Sequence, residues 1–155
     1  MKISLLAIGK KMPAWVETAC KEYLKRLPRE LGVHFVELPL ATRAKNVSIE
    51  KCKQEESASL LAAVPPGSRV VALDVRGKSL STEKLAEKLE TWQMEGRDVC
   101  IFIGGPDGMS EACLQAADER WSLSAMTLPH PMVRVIMSEQ LYRAWTILAN
   151  HPYHK

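Results

Sequence analysis

The chain has 155 residues, of which 46% are apolar and 25% charged, a balance that suits one globular domain with a real core and leaves little room for two. Its 21 Lys and Arg against 18 Asp and Glu give a net charge of +3, which permits a nucleic-acid partner without demanding one. No stretch approaches the roughly 18 uninterrupted apolar residues of a membrane span, and the scattered Cys20, Cys52, Cys100 and Cys113, with no C-x-x-C pair and no histidine at ligand spacing, speak against disulfides and a metal site and for reduced thiols in a cytoplasmic protein.

Residues 3–9 form an apolar run that Lys10 and Lys11 stop well short of signal-peptide length, and no small-residue cleavage site follows, so the run reads as a buried first strand. Pro13 opens a helix whose apolar positions Trp15, Val16, Ala19, Tyr23, Leu24 and Leu27 recur at helical spacing until Pro28. Residues 33–38 alternate as a second strand. The polar segment 41–47, with Arg43, Lys45 and Asn46, reads as a solvated loop by default and as a phosphate-contacting loop in the sharper alternative, ahead of a helix capped by Ser48. After Pro65-Pro66-Gly67, residues 69–74 read as a central strand, Ser81 caps a helix continuing to about Glu95, and residues 99–103 are another buried strand. A turn at 106–111 starts a short helix, and residues 132–149 form a long last one. With no repeat, low-complexity tract or linker, this alternation predicts one α/β domain over residues 1–155 with a mostly parallel sheet.

Three segments carry chemistry. The strand at 101–103 runs directly into Gly104-Gly105-Pro106-Asp107-Gly108, at the end of a parallel strand where α/β proteins place ligands, although the same residues also make an ordinary strand-to-helix turn. The chain has neither a G-x-G-x-x-G fingerprint nor a P-loop, so dinucleotide and triphosphate binding lose their main support. Residues 121–131 are too apolar for a free loop and too broken by small residues and prolines for a helix; their amides and carbonyls require either a bound ligand such as an adenine ring or pairing within the fold. Residues 132–145 are apolar nearly all round, which suits a helix buried on several faces, including against a partner subunit. Arg134 and Arg143 stand out in it, as ion-paired arginines or as contacts to phosphate or an anionic base. The terminal Asn150-His151-Pro152-Tyr153-His154-Lys155 offers an aromatic ring, two imidazoles and a lysine, a chemistry suited to stacking on an unpaired base.

Taken together, the Gly-Gly-Pro-Asp-Gly turn, Leu123-Ser124-Ala125-Met126-Thr127-Leu128-Pro129-His130, the Arg134 to Trp145 helix and the Asn-His-Pro-Tyr-His-Lys tail resemble the bacterial 23S rRNA pseudouridine N3-methyltransferases, small single-domain members of the SPOUT or trefoil-knot methyltransferases. Ala7-Ile8-Gly9-Lys10 and Tyr23-Leu24-Lys25-Arg26 extend the similarity to the start, so it covers essentially the whole chain. The resemblance implies a mostly parallel sheet with helices on both faces and a deep C-terminal trefoil knot, a rare exception to the rule against knotted chains, with the knot and cofactor site in roughly residues 70–155. It implies S-adenosylmethionine as methyl donor, held by Leu73, Gly104, Gly105, Leu123, Ser124, Ala125, Met126, Thr127 and Leu128. It further implies a homodimer in which the second subunit's tail completes each site, acting on 23S rRNA in the assembled ribosome, with no membrane and no metal.

On that resemblance Arg143, with Glu139 or His130 as proton acceptor, is the candidate catalytic set, and Arg134, His151, Tyr153 and His154 are the candidate substrate contacts. Lys10, Lys11, Arg43 and Lys45 are candidate phosphate contacts. Rival expectations are a SPOUT enzyme acting on tRNA, a non-catalytic RNA-binding or ribosome-associated module, and a nucleotide hydrolase, the last lacking both a phosphate loop and paired carboxylates.

Overall fold

The computed structural model describes residues 1–154, in which five strands pair side by side in parallel. They are β1 (Ile3–Ile8), β2 (Val33–Leu38), β3 (Arg69–Ser79), β4 (Val99–Ile103) and β5 (Glu119–Ser122), in the order β2-β1-β4-β3-β5. Between them run α1 (Ala14–Leu24), α2 (Ile49–Ala62), α3 (Thr82–Glu95) and α4 (Glu111–Ala116), and α5 (His130–Leu148) follows β5. Ser48 and Ser81 cap α2 and α3 as expected, their hydroxyls accepting from the amides of Lys51 and Lys84.

The period-2 alternation of the strands sorts the core into two layers, one on each face of the sheet. Ile3, Leu5, Val71, Val99 and Ile101 face Leu85, Leu89 and Trp92 of α3 and Met137, Leu141 and Ala144 of α5. Leu6, Ile8, Ala72, Cys100 and Phe102 face Leu60 of α2 and Cys113 and Leu114 of α4. Helices therefore cover both faces, and β4, enclosed by strands on both edges, is buried along its whole length. α1 packs outside this core against α5, leaving Trp15 55% exposed although its helical spacing placed it with the apolar stripe. All four cysteines are free and buried, and burial raises the thiol pKa of Cys20, Cys100 and Cys113. Among the described residues no helix is long and apolar enough to cross a membrane.

Two features depart from the sequence reading. β5 was not among the expected strands: only four residues, Glu119 to Ser122, form it, half of them are charged, and its last two begin the segment 121–131 that read as neither free loop nor helix. Trp121 supports it: 1% exposed, the indole stacks on Trp92 with centroids 5.7 Å apart and planes 5° from parallel, a contact worth about 0.5–1.5 kcal/mol beyond the area it buries. β3, expected to stop at Asp74, continues to Ser79. Leu73 and Lys78 both pair with Trp121, and Ser79 pairs with Ser122, so the intervening residues arch across β5. Gly77 is where the two backbones come closest: a Cβ there would lie 2.8 Å from backbone atoms of Arg120 and Trp121. Because backbone on both sides cannot yield as a flexible side chain would, Gly77→Ala is expected to lower stability by the upper end of about 1–3 kcal/mol, read from the midpoint of denaturant unfolding.

Candidate functional site

The carboxyl ends of β3 and β4 open into a cleft of about 580 Å³, within the range of about 300–1,000 Å³ that small-molecule sites occupy. Its floor is apolar, with Leu73, Ile103, Leu123, Leu128 and Val133, and its rim carries Lys53, Asp74, Arg76 and Asp107. The glycine turn forms one wall. Gly108 sits at φ +81°, where side chains are strained, and donates its N–H to the Gly105 carbonyl at 3.1 Å. A Cβ on Gly104 would press on Met109 at 3.1 Å, and one on Gly105 would lie 2.8 Å from Oε1 of Glu56, so this wall is fitted closely from behind. The opposite wall is the segment between β5 and α5. It meets part of its own hydrogen-bonding demand: the Ser122 hydroxyl donates to the Ser124 carbonyl, and the Ser124 hydroxyl accepts from the Met126 amide, both at 2.9 Å. These two bonds bear out the reading of pairing within the fold for part of the segment.

Eight of the nine residues expected at a cofactor line this cleft: Leu73, Gly104, Gly105, Leu123, Ser124, Met126, Thr127 and Leu128. Ala125 is exposed and is not among the lining residues. His130 joins them as the first residue of α5, which begins two residues earlier than the sequence suggested because Pro129 serves as its cap and Pro131 fits its first turn. Burial, then the nearby charge of Arg134, lowers the His130 pKa, and its Nδ1 is buried with no partner among the described residues. Sequence reasoning missed Asp74, Val75 and Arg76, which the arch of β3 brings to the rim, and Lys53 on α2; nothing local in the sequence marks these as neighbours of the glycine turn.

The structure gives Arg134, expected among the substrate contacts, an internal role. It is 3% exposed and absent from the cleft lining; Nη1 donates to Glu37 at 2.6 Å, and Nη2 donates to the carbonyls of Gly9 at 2.7 Å and Ile8 at 3.2 Å. It thus ties the start of α5 to the carboxyl ends of β1 and β2. The hydrogen bonds arise because α5 brings a long cation over the carbonyls where β1 ends, and a charged donor strengthens them. Arg134→Ala leaves those carbonyls and Glu37 without it, and a loss of about 3 kcal/mol in unfolding free energy is expected on the scale of broken buried pairs.

Arg143, Glu139 and the tail form a second cluster away from the cleft. Nη2 and Nε of Arg143 donate to Glu139 Oε2 at 2.9 and 3.0 Å, the Tyr153 hydroxyl donates to the same oxygen at 2.9 Å, and Gln140 donates to Oε1. The Arg143 guanidinium also lies 5.1 Å from the Tyr153 ring centroid. Pro152–His154 forms a 3-10 turn folded back on α5, with the His151 amide donating to Thr146 and the Tyr153 amide to His151 Nδ1. His154 keeps a buried Nδ1 without a partner among the described residues; Lys155, the last residue of the tail motif, lies outside them. None of Glu139, Arg143, His151, Tyr153 or His154 lines the cleft. From His130 to Arg143 the rise along α5 is about 20 Å, at about 1.5 Å per residue.

Burial, then the Glu139 carboxylate, pushes the Tyr153 pKa up to about 12. For an acid raised in the folded state, the unfolded chain ionises first, so this contribution to stability is present below the ordinary tyrosine value near 10 and is lost as pH rises toward 12. In an NMR titration the Tyr153 ring is expected to ionise well above the ordinary tyrosine value near 10, and Glu139→Gln to bring its midpoint down.

An open parallel sheet with its cleft at the ends of β3 and β4, beside the arch of one strand over another, defines the class as a ligand-binding α/β protein of unusual topology. The family described as predicted SPOUT methyltransferase matches residues 1–154. Two relatives named ribosomal RNA large subunit methyltransferase H, from Teredinibacter turnerae and Saccharophagus degradans, are 60% and 59% identical, with 100% of each chain covered. The chain belongs to the SPOUT methyltransferase family. Solved structures agree on the fold. A probable methyltransferase from Bordetella pertussis has a TM-score of 0.56 at 15% identity, covering 92% of this chain and 95% of its own, and a putative methylase family protein from Neisseria gonorrhoeae has a TM-score of 0.58 at 13% identity, covering 96% and 93%.

Proposed function

We propose that this chain transfers a methyl group from S-adenosylmethionine to N3 of a pseudouridine in 23S rRNA of the assembled ribosome. The observation that carries the proposal is the gathering of eight expected cofactor positions, from three separate stretches of chain, around one cleft. The names of the full-length relatives support large-subunit RNA as substrate. The cleft fits the donor in kind: apolar Leu73, Ile103, Leu123, Leu128 and Val133 line it beside polar Ser122, Ser124 and Thr127, and its volume is adequate.

When bound, the donor supplies a methyl group on a sulfonium, and the attacking nitrogen must be held in line with the breaking carbon-sulfur bond. The N3 proton has to leave, and His130 is our acceptor: it lines the cleft, and burial lowers its pKa and so favours the neutral imidazole. Glu139, both of whose oxygens already accept hydrogen bonds, instead orients Arg143 and Tyr153. Arg143 would steady the anionic base, with Tyr153, His151 and His154 stacking on or holding the nucleotide.

The distance between this cluster and the cleft on the same subunit supports a composite site, in which a second copy brings its tail to the cofactor. We read the double pairing of β3 with β5 as the mark of a C-terminal knot in a single domain, and the absence of a spanning helix among the described residues as compatible with a cytoplasmic dimer. Exposed Lys10, Lys11 and Lys45 remain as candidate phosphate contacts on the particle.

Mass mapping of 23S rRNA from a strain lacking this protein is expected to show one methyl group missing from a pseudouridine. A full methyl complement on that RNA with a loss on tRNA instead would move the substrate to tRNA. With purified protein, Arg143→Ala and Tyr153→Ala are expected to keep S-adenosylmethionine affinity in calorimetry and lose most transfer to 70S particles; normal transfer by both would remove the tail from the site. Mixing a cofactor-cleft variant with Tyr153→Ala should restore part of the activity if sites are shared between copies.

A further inference from the structure

Two buried polar residues stand side by side on α2, Glu56 at 1% exposure and Ser57 at 2%, in a layer otherwise made of apolar side chains. A buried carboxylate is tolerated only when fully paired. Its partner is Arg43, from the loop between β2 and α2. Nη1 of Arg43 donates to Glu56 Oε2 at 2.7 Å and to the Ala41 carbonyl at 2.9 Å, and Nη2 donates to Glu56 Oε1 at 3.3 Å. Nη2 and Nε then both donate to Asp107 Oδ2, at 2.9 and 3.2 Å. These contacts match the five N–H donors that a guanidinium possesses. Arg43, a phosphate contact in the sequence reading, has no donor left for a phosphate.

The far ends of this network are the glycine turn. Asp107 belongs to it, and Glu56 Oε1 lies directly behind Gly105, where a Cβ would come within 2.8 Å. The Ser57 hydroxyl accepts from the Ser110 amide at 2.9 Å and so fixes the turn's exit into α4. Ser57 holds the exit of the segment 105–110, Glu56 packs behind its start, and Arg43 ties its middle through Asp107; none of the three lines the cleft.

We propose that Arg43 and Glu56 are positioning residues for the cofactor, acting through Asp107 and Gly105 to hold the glycine wall in its binding geometry. The proposal rests on the reading of this cleft as the S-adenosylmethionine site. Lysine at 43 keeps the charge but not the planar fork that joins two carboxylates and a carbonyl. Removing such outer support characteristically costs on the order of tenfold in ligand affinity.

The test is calorimetry with S-adenosylmethionine and steady-state methylation of 70S particles, on wild type, Arg43→Lys and Glu56→Gln, with Ser57→Ala as a milder variant should either of the first two fail to fold. The expected result is a dissociation constant and KM for S-adenosylmethionine raised about tenfold in Arg43→Lys, with kcat at saturating donor within about twofold of wild type and Glu56→Gln shifted in the same direction. Folded variants with unchanged affinity, or with kcat reduced and KM held, would overturn it. Wild type that binds no S-adenosylmethionine would instead overturn the cofactor reading on which the proposal rests.

Discussion

The close approach of β3 to β5 is the constraint on which the rest of the structure depends. A strand of four residues, two of them charged, has little hold on a sheet by itself. It is kept in place because β3 pairs with it twice and arches over it at Gly77, where only a hydrogen atom fits between the backbones. With β5 fixed there, Trp121 reaches Trp92 on one side and the cleft on the other. The chain must then leave β5 and return along the cleft rim before α5 can start. One steric contact thus decides where the wall from Leu123 to Leu128 lies, and with it the shape of the pocket.

Much of the fold was legible in the sequence because it is written in local pattern. The four longer strands announce themselves as β-branched and apolar runs, the serine caps mark the helix starts, and eight of the nine positions that the family resemblance offered for a cofactor line one cleft. What was not legible depends on partners distant in sequence. β5 and the second half of β3 are polar or mixed, and only their mutual pairing makes them strands. Arg134 and Arg43 carry the same formal charge as any surface arginine; that one caps the strand ends of β1 and β2, and the other joins Glu56 to Asp107, follows from contacts spanning up to 126 residues. The sequence left Arg134 open between an ion pair and a phosphate or base contact, and Arg43 between solvated surface and a phosphate contact; the structure turns both inward into ion pairs.

Burial divides the ionisable side chains between two tasks. Those that hold the framework, Arg134 with Glu37 and Arg43 with Glu56 and Asp107, have their bonding capacity largely engaged. Buried nitrogens without a partner among the described residues remain on Arg69 and Arg134, at Nε, and on His130 at the cleft and His154 in the tail, at Nδ1; of these only the imidazoles can take up a proton. Such a division keeps the scaffold rigid while leaving proton-transfer capacity in the residue type best suited to it near neutral pH.

The buried cysteines bear on a hazard peculiar to this family's chemistry. A methyl sulfonium is an alkylating agent, and the softest nucleophile a protein offers it is a thiolate. Here all four thiols are buried, Cys100 and Cys113 within the layer that faces α2 and α4, and burial raises the pKa of Cys20, Cys100 and Cys113, which favours their protonated form. Cys100 lies on β4, the strand that runs into the glycine wall, and its side chain packs with Phe102 on the face away from α5. With the proposed donor in the cleft, the fold would withhold from it the side chains most apt to be methylated in error.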